Sequence, residues 1–273
     1  MSKNFTSTGD YIVDDELARI VEAAVALQRP LLIKGEPGTG KTRLAHAVAA
    51  WLKKPLLIWN VKSTTRAQEG LYTYDTVARL NDARFGDHDI SDISQYIRMG
   101  KLGQAFASEE QCVLLIDEID KAELEFPNDL LNELDEMRFH IPETDETIAT
   151  KHRPIVIITS NAEKELPDAF LRRCVFHYIA FPDEELMRQI VSVHYPDLGQ
   201  KLTDAAIGKF YEIREMPEIR KAPSTSELLD WIKTLVACGI DEQQIAQAVP
   251  LLGVLLKKPQ DVQVAERKTR WVG

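Results

Sequence analysis

The stretch GEPGTGKT at residues 35–42 restricts the fold more than any other part of the chain. It fits the pattern G-x-x-x-x-G-K-[ST] and lies between an apolar segment, Leu31 to Ile33, and a helical pattern that begins near Lys41. Glycines let the backbone turn its N–H groups inward toward phosphate oxygens, and the N-terminus of the helix adds partial positive charge. A glycine turn that precedes a helix by chance is the alternative. The strand and the helix on either side favour a phosphate-binding loop.

Two acidic residues, Asp117 and Glu118, follow the apolar segment Val113 to Ile116. Acids at the carboxyl end of a parallel strand face the crevice in which open α/β sheets bind ligands. In such a place Asp117 would hold the shell of a Mg²⁺ ion through water, and Glu118 would polarise an attacking water as general base. The alternative is an ordinary solvated acidic turn, which the upstream phosphate motif makes less attractive.

Further polar residues follow the next apolar segment, Ile155 to Ile158. Asn161 could orient the attacking water or sense the γ-phosphate, or it could simply cap a loop turn. Beyond it, Arg172 and Arg173 end a short helical pattern. Arginine suits bidentate contact with phosphate and can complete a neighbouring subunit's site, although cations also complement the dipole of a helix C-terminus.

Short apolar strands alternate with helical patterns, which predicts a parallel sheet covered on both faces. Five such strands are expected: Leu31–Ile33, Leu56–Trp59, Val113–Ile116, Ile155–Ile158 and Val175–Ile179. From Pro182 onward only helical patterns follow, at about 183–195, 203–214, 224–237 and 241–248. We therefore expect an α/β domain at residues 1–182 and a helical domain at 183–273 whose last dozen residues form a polar tail.

The middle of the chain is less regular than its ends. We expect one helix over residues 92–108, another over about 127–137, and a polar hairpin over 138–151. The aromatic segment Gly70 to Tyr74 is expected in a loop. Loop aromatics can contact a partner, but they more often pack locally.

Composition restricts the partners and the compartment. The chain of 273 residues has a formal charge of −10, and an acidic chain is a poor non-specific binder of DNA or anionic membranes. Its three cysteines are widely spaced and suit neither a zinc site nor a disulfide framework. The polar N-terminus does not resemble a signal peptide, and no apolar run is long enough to cross a membrane. We expect a cytoplasmic protein.

Taken in order, the motifs GEPGTGKT, LLIDEID, VIITSN and LPDAFLRRC resemble those of the AAA+ superfamily. The lead-in PLLIKGEPGTGKT and the hairpin before the fourth strand are most similar to its MoxR branch. The stretches LYTYDTVARLNDARF and APSTSELLDWI resemble members associated with maturation of the carbon monoxide dehydrogenase metal centre. The resemblance covers about residues 11–238 and implies a five-stranded parallel P-loop domain with a small helical lid, assembled as a ring that is usually a hexamer.

The resemblance also implies roles for individual residues. The catalytic residues would be Lys41, Glu118, Asn161 as first sensor, and Arg173 as arginine finger. Mg²⁺ would be held at Thr42 and Asp117. ATP would be bound by Tyr11, Ile12, Gly35, Pro37, Gly38, Thr39, Gly40, Lys41, Thr42 and Arg43, with Tyr11 and Ile12 near the adenine ring.

The lid departs from the family pattern. Many MoxR-like proteins carry an arginine early in a lid helix, but Ser224 occupies that position here. Ser224 and Glu227 also fit a plain capping box, in which each side chain bonds the other's backbone N–H. Arg220 or Lys221 could replace the missing arginine, or both could be solvated charges.

The leading hypothesis is a ring ATPase that remodels a protein partner. The MoxR resemblance implies a chaperone-like role in metal-centre assembly, with a von Willebrand factor A domain protein as partner. A nucleic-acid motor or loader is the alternative, and the charge of −10 disfavours it. A small-molecule P-loop kinase or a GTPase is less well supported, because an NKxD motif is absent and because such enzymes do not need a helical lid or the pair Arg172 and Arg173.

Overall fold

The computed structural model describes residues 4–7, 11–85 and 91–269. Nine strands occur in this part of the chain: β1 (Leu31–Gly35), β2 (Leu56–Asn60), β3 (Tyr72–Tyr74), β4 (Ile97–Met99), β5 (Val113–Asp117), β6 (Arg138–Ile141), β7 (Glu146–Ala149), β8 (Ile155–Ser160) and β9 (Val175–Ile179). Five of them form one parallel sheet in the order β2-β5-β8-β1-β9. The predicted five-stranded parallel sheet is confirmed.

Fourteen α-helices occur in the same part of the chain. They are α1 (Asp15–Leu27), α2 (Lys41–Leu52), α3 (Ala67–Leu71), α4 (Thr76–Phe85), α5 (Lys101–Phe106), α6 (Phe126–Asp129), α7 (Leu131–Glu136), α8 (Asp168–Leu171), α9 (Glu184–His194), α10 (Gln200–Arg214), α11 (Thr225–Ala237), α12 (Glu242–Gln247), α13 (Leu252–Leu255) and α14 (Pro259–Thr269). None of these helices is long and apolar enough to cross a membrane.

The described residues divide into two compact units. One comprises residues 4–7, 13–35, 40–85 and 91–179, and the other comprises 11–12, 36–39 and 180–269. The first unit contains the five-stranded sheet. The second unit is built on helices α9 to α14, with Phe210, Leu228, Trp231, Ile232 and Leu235 fully buried in its core.

The central strands explain why the polar site residues meet. Leu114 and Leu115 of β5 are fully buried, as a strand covered on both faces requires. The strands pair in parallel register, with Leu115 opposite Ile157 and Asn60 opposite Asp117. Parallel pairing brings all carboxyl ends to one edge, and the polar residues that end β5 and β8 therefore lie side by side.

The single helix predicted over residues 92–108 is wrong. A 3-10 turn, Ile93–Tyr96, comes first, followed by the strand β4 and then by the helix α5. β4 pairs antiparallel with β3, and this non-local pairing overrides the local helical pattern. Gly100 separates β4 from α5 at a place where an added Cβ would lie 2.1 Å from the Glu69 carbonyl oxygen.

Two other boundaries differ from the predictions. The helix expected at about 127–137 is divided into α6 and α7 at the fully buried Leu130. The expected polar tail is the helix α14 as far as Thr269, and residues 270–273 lie outside the described part. The buried Asp261 of α14 accepts hydrogen bonds from the backbone N–H groups of Arg220 and Lys221, a tertiary contact that the polar composition did not indicate.

Candidate active site

The loop between β1 and α2 has the backbone that its glycines permit. Gly38 and Gly40 have φ angles of 83° and 86°, in the left-handed region that favours glycine. Lys41 opens α2 and is buried, and its Nζ donates to the Gly35 carbonyl oxygen at 2.8 Å. The lysine is thus held at the N-terminus of a helix, where an anion is favoured.

The next residue, Thr42, faces the end of β5. Its hydroxyl lies 3.1 Å from both carboxylate oxygens of Asp117. Asp117 also accepts a hydrogen bond of 2.6 Å from the hydroxyl of Thr159, which is fully buried in β8. One hydroxyl from the helix and one from the neighbouring strand therefore orient the same carboxylate.

Glu118 leaves the strand in an unusual conformation. Its φ angle is 58°, a left-handed value that is uncommon outside glycine, and its backbone N–H donates to Thr159 Oγ1 at 2.8 Å. Asn161 Nδ2 donates to Glu118 Oε1 at 3.0 Å, and Lys121 forms an ion pair with Glu118 Oε2. The hydrogen bond to Glu118 is the main cause that raises the pKa of Lys121. Both carboxylate oxygens of Glu118 are thus held by donors.

The structure brings Thr42, Asp117, Glu118 and Asn161 together, and Lys41 precedes Thr42 in the chain. Sequence reasoning missed Thr159, Asp120 and Lys121, which hold this group in place. In the sequence each of them is an ordinary polar residue close to a buried strand, and only its hydrogen-bond partner in the structure marks it.

Arg173 lies outside this group. Its guanidinium forms an ion pair with Asp135 at 2.6 Å and donates to the Ala169 carbonyl oxygen at 2.9 Å. The Arg29 guanidinium donates to the backbone carbonyls of Arg172 and Arg173. The side chains of both arginines after α8 are exposed.

Within the second unit, Arg214 is the cation that contacts the phosphate-loop segment 36–39. Its guanidinium pairs with Glu36, donates to the Pro223 carbonyl oxygen at 2.8 Å, and stacks 3.4 Å above the ring centroid of Phe181. Sequence reasoning missed Arg214 because it ends α10, ten residues before Ser224, where the lid arginine of the family was expected.

Ser224, Arg220 and Lys221 were considered in connection with the missing lid arginine. Ser224 caps α11 in the expected capping box with Glu227, whose carboxylate accepts the Ser224 N–H at 2.7 Å. A Cβ added to Gly38 would lie 2.6 Å from Ser224 Cβ, so the loop and the cap are in close contact. The side chains of Arg220 and Lys221 are exposed.

The remaining predicted residues differ in burial. Tyr11 and Ile12 are half-buried, whereas Pro37 and Arg43 are exposed. In the aromatic segment, Tyr72 is buried: its ring stacks on Phe139 at 6.1 Å, and its hydroxyl donates to Glu143 at 2.9 Å. Tyr72 thus packs locally, which was one of the two alternatives for this segment.

A cleft of about 1160 Å³ lies in the first unit, and none of the proposed catalytic residues lines it. Arg66 and Arg138 are the cationic side chains among its lining residues. Five carboxylates oppose them: Glu123, Glu125, Asp129, Glu133 and Glu136. The lining side chains of this cleft therefore carry more negative than positive charge.

Comparison with known proteins gives these motifs a family. A family model described as an AAA domain of the dynein-related subfamily matches residues 30–174, which is more than half of the chain. The chain belongs to this AAA family. The matched range holds the glycine-rich loop between β1 and α2, both acids after β5 and the arginines after α8.

The fold of this AAA-family chain is similar to that of the RuvB Holliday junction branch migration motor of Thermotoga maritima. The two share 13% sequence identity with a TM-score of 0.53, over 84% of this chain and 65% of that chain. At this identity the likeness concerns the fold alone, and this chain spans somewhat less than two thirds of the motor's length. None of the curated proteins matches the chain.

Proposed function

We propose that this AAA ATPase hydrolyses Mg²⁺-ATP as a ring of the MoxR type and uses the energy to remodel a protein partner. The observation that carries the hydrolytic part is the contact of Asn161 Nδ2 with Glu118 Oε1 at 3.0 Å, beside the pair of Thr42 and Asp117. This contact places an amide beside a carboxylate, and the two together could orient an attacking water and accept its proton.

The phosphate loop would bind the triphosphate. Its backbone N–H groups and the N-terminus of α2 favour negative charge, and the Lys41 amine would exchange the Gly35 carbonyl for the β- and γ-phosphates. Tyr11 and Ile12 would lie against the adenine ring, as the MoxR resemblance implies.

The pair formed by Thr42 and Asp117 suits Mg²⁺. A hydroxyl and a carboxylate 3.1 Å apart are hard oxygen donors, and Mg²⁺ in phosphate sites keeps several waters besides one or two protein ligands. When bound, the ion would neutralise charge that develops on the phosphates. The hydrogen bond from Thr159 would keep the Asp117 carboxylate turned toward Thr42.

In the hydrolytic step Glu118 would accept a proton from a water that Asn161 helps to orient. The water oxygen forms a bond to the γ-phosphorus, and the bond from that phosphorus to the β–γ bridging oxygen breaks. ADP and phosphate leave. Lys121 pairs with the Glu118 oxygen that Asn161 does not contact, so both donors hold the base in one orientation.

Arg173 would act in a neighbouring subunit. It is exposed and lies apart from Glu118 in its own chain, so the arginine-finger role needs a ring in which it reaches the next nucleotide. The ring, its hexameric size and a von Willebrand factor A domain partner come from the MoxR resemblance.

A nucleic-acid motor is the second candidate, because the structurally similar RuvB protein is a Holliday junction branch migration motor. The formal charge of −10 and the acidic cleft disfavour it, since affinity for phosphate backbones needs clustered lysine and arginine. Tight DNA binding that weakens steeply with added salt would favour the motor.

The test uses a Glu118→Gln variant, which is expected to bind ATP with near wild-type affinity and to lose nearly all turnover. The variant is held in ATP or in ADP, mixed with native lysate, and the captured proteins are identified by mass. Glu123→Gln, which neutralises an exposed acid five residues away, is the matched control and should keep its turnover.

A protein captured in ATP but not in ADP would support remodelling and would name the partner. Capture of nucleic acid, or capture that does not depend on the nucleotide, would contradict it. Turnover by Glu118→Gln at a near wild-type rate would remove Glu118 from the role of base.

A further inference from the structure

The buried carboxylate of Asp120 is not a phosphate or metal ligand in the proposal above. Asp120 lies in the 3-10 turn Ile119–Lys121 that follows β5, and only 2% of its surface is exposed. A buried carboxylate is costly unless it is paired or hydrogen-bonded. The contacts of Asp120 therefore show what this burial achieves.

Both carboxylate oxygens of Asp120 accept hydrogen bonds from the loop that follows β8. Oδ1 accepts the backbone N–H of Asn161 at 3.3 Å, and Oδ2 accepts that of Glu163 at 2.9 Å. These donors are more than forty residues away in sequence. Two hydrogen bonds to one buried side chain therefore link this loop to the turn after β5.

The loop held by Asp120 carries the amide that contacts the proposed base. Asn161 donates its backbone N–H to Asp120 and its side-chain amide to Glu118, which lies two residues before Asp120. Asn161 is thus bonded twice to the short segment from Glu118 to Asp120, once through its backbone and once through its side chain. These two hydrogen bonds fix the separation of the proposed base and the amide.

Other contacts tighten the same loop. Ala162 has a φ angle of 59°, and its N–H donates to Ser160 Oγ at 3.1 Å. Lys164 Nζ donates to the Ala122 carbonyl oxygen at 2.7 Å. A left-handed alanine persists only where its surroundings hold it, and Asp120 bonds the N–H groups on both sides of it.

We infer that Asp120 is a positioning residue for ATP hydrolysis that acts through Asn161. The inference rests on the proposed roles of Glu118 and Asn161. Replacing Asp120 by asparagine leaves one acceptor for two N–H groups and turns an NH₂ group toward the other. A shift of about 1 Å in a catalytic group costs on the order of 100-fold in rate, so kcat should fall about 10- to 100-fold. The KM for ATP should change less than about twofold, because Lys41 and Thr42 are untouched.

The experiment is a double-mutant cycle with Asp120→Asn and Asn161→Ala, read as kcat and KM for ATP at saturating Mg²⁺. Circular dichroism checks that each variant is folded. If Asp120 acts through the Asn161 side chain, Asp120→Asn should add less than about a twofold loss once that side chain is gone. A merely structural role would give the same fold-loss in both backgrounds. Glu165→Gln, an exposed acid on the same loop, is the matched control.

The inference is overturned if kcat of Asp120→Asn stays within about twofold of wild type, or if the two losses multiply. If Asp120→Asn does not fold, Asp120→Ser provides the same comparison, because the serine side chain is smaller and its hydroxyl still accepts one hydrogen bond. A wrong assignment of Glu118 as the base would give a different result, because Glu118→Gln would then retain turnover whatever the double-mutant cycle gives.

Discussion

Thr159→Val tests whether the ends of β5 and β8 are held together through one hydroxyl. Thr159 is fully buried, accepts the Glu118 N–H at 2.8 Å, and donates to Asp117 Oδ1 at 2.6 Å. Valine has nearly the same shape and removes both hydrogen bonds at once. The substitution thus isolates the hydrogen bonding from the packing.

The magnitude follows from the two partners. The Glu118 N–H is left without its acceptor, at a cost of about 1–2 kcal/mol. Asp117 is half-buried and keeps its contact with Thr42, so losing the Thr159 donor costs about 1 kcal/mol. The extra buried methyl of valine offsets about 0.8 kcal/mol. The net loss of about 2 kcal/mol should lower the unfolding midpoint of the first unit by about 4–8 °C.

The assay is thermal unfolding without nucleotide, followed by circular dichroism. Thr159→Ser is the matched control, since it keeps the hydroxyl and loses only a buried methyl group, at a cost of about 1 kcal/mol. A midpoint for Thr159→Val within about 2 °C of wild type would refute the reasoning, because the expected loss corresponds to at least twice that shift. A larger shift for Thr159→Ser than for Thr159→Val would show that packing dominates.

Three further predictions concern other parts of the chain. Arg173→Ala should keep its affinity for ATP and lose turnover, and mixing it with Glu118→Gln should restore some ATPase activity, because a mixed ring contains an intact interface. Gly38→Ala should weaken binding of a fluorescent ATP analogue more than about 10-fold, since φ is 83° and the new Cβ would lie 2.6 Å from another side chain. Among the cysteines, the exposed Cys238 should be alkylated first at pH 8, because burial raises the pKa of the Cys174 thiol to about 12 and keeps it protonated.

Each of these three predictions has a result that would contradict it. No recovery on mixing, together with a monomeric mass under ATP, would count against the ring. Gly253→Ala is the control for the loop glycine, because an added Cβ there meets nothing within 4 Å, and equal weakening of both variants would contradict the steric argument. Peptide mass spectrometry that finds Cys174 modified as fast as Cys238 would contradict the burial of its thiol.

The sequence by itself determined the sheet and the glycine-rich loop before α2. Continuous apolar segments such as Val113 to Ile116 favour buried strands, and the glycines before Lys41 favour a tight turn at the start of a helix. These signals are local, because each depends on a few adjacent residues. They sufficed to predict that Asp117 and Asn161 each follow the apolar segment of a buried strand, whereas the pairing of those two strands came from the structure.

Only the tertiary structure decided which polar groups contact one another. Thr159, Asp120 and Arg214 carry no local pattern that separates them from ordinary polar residues, yet each one bonds a group far away in the sequence. The helix predicted over residues 92–108 failed for the same reason, since β4 exists because it pairs with β3. A contact between distant residues depends on the packing of whole elements, and local propensity does not contain that information.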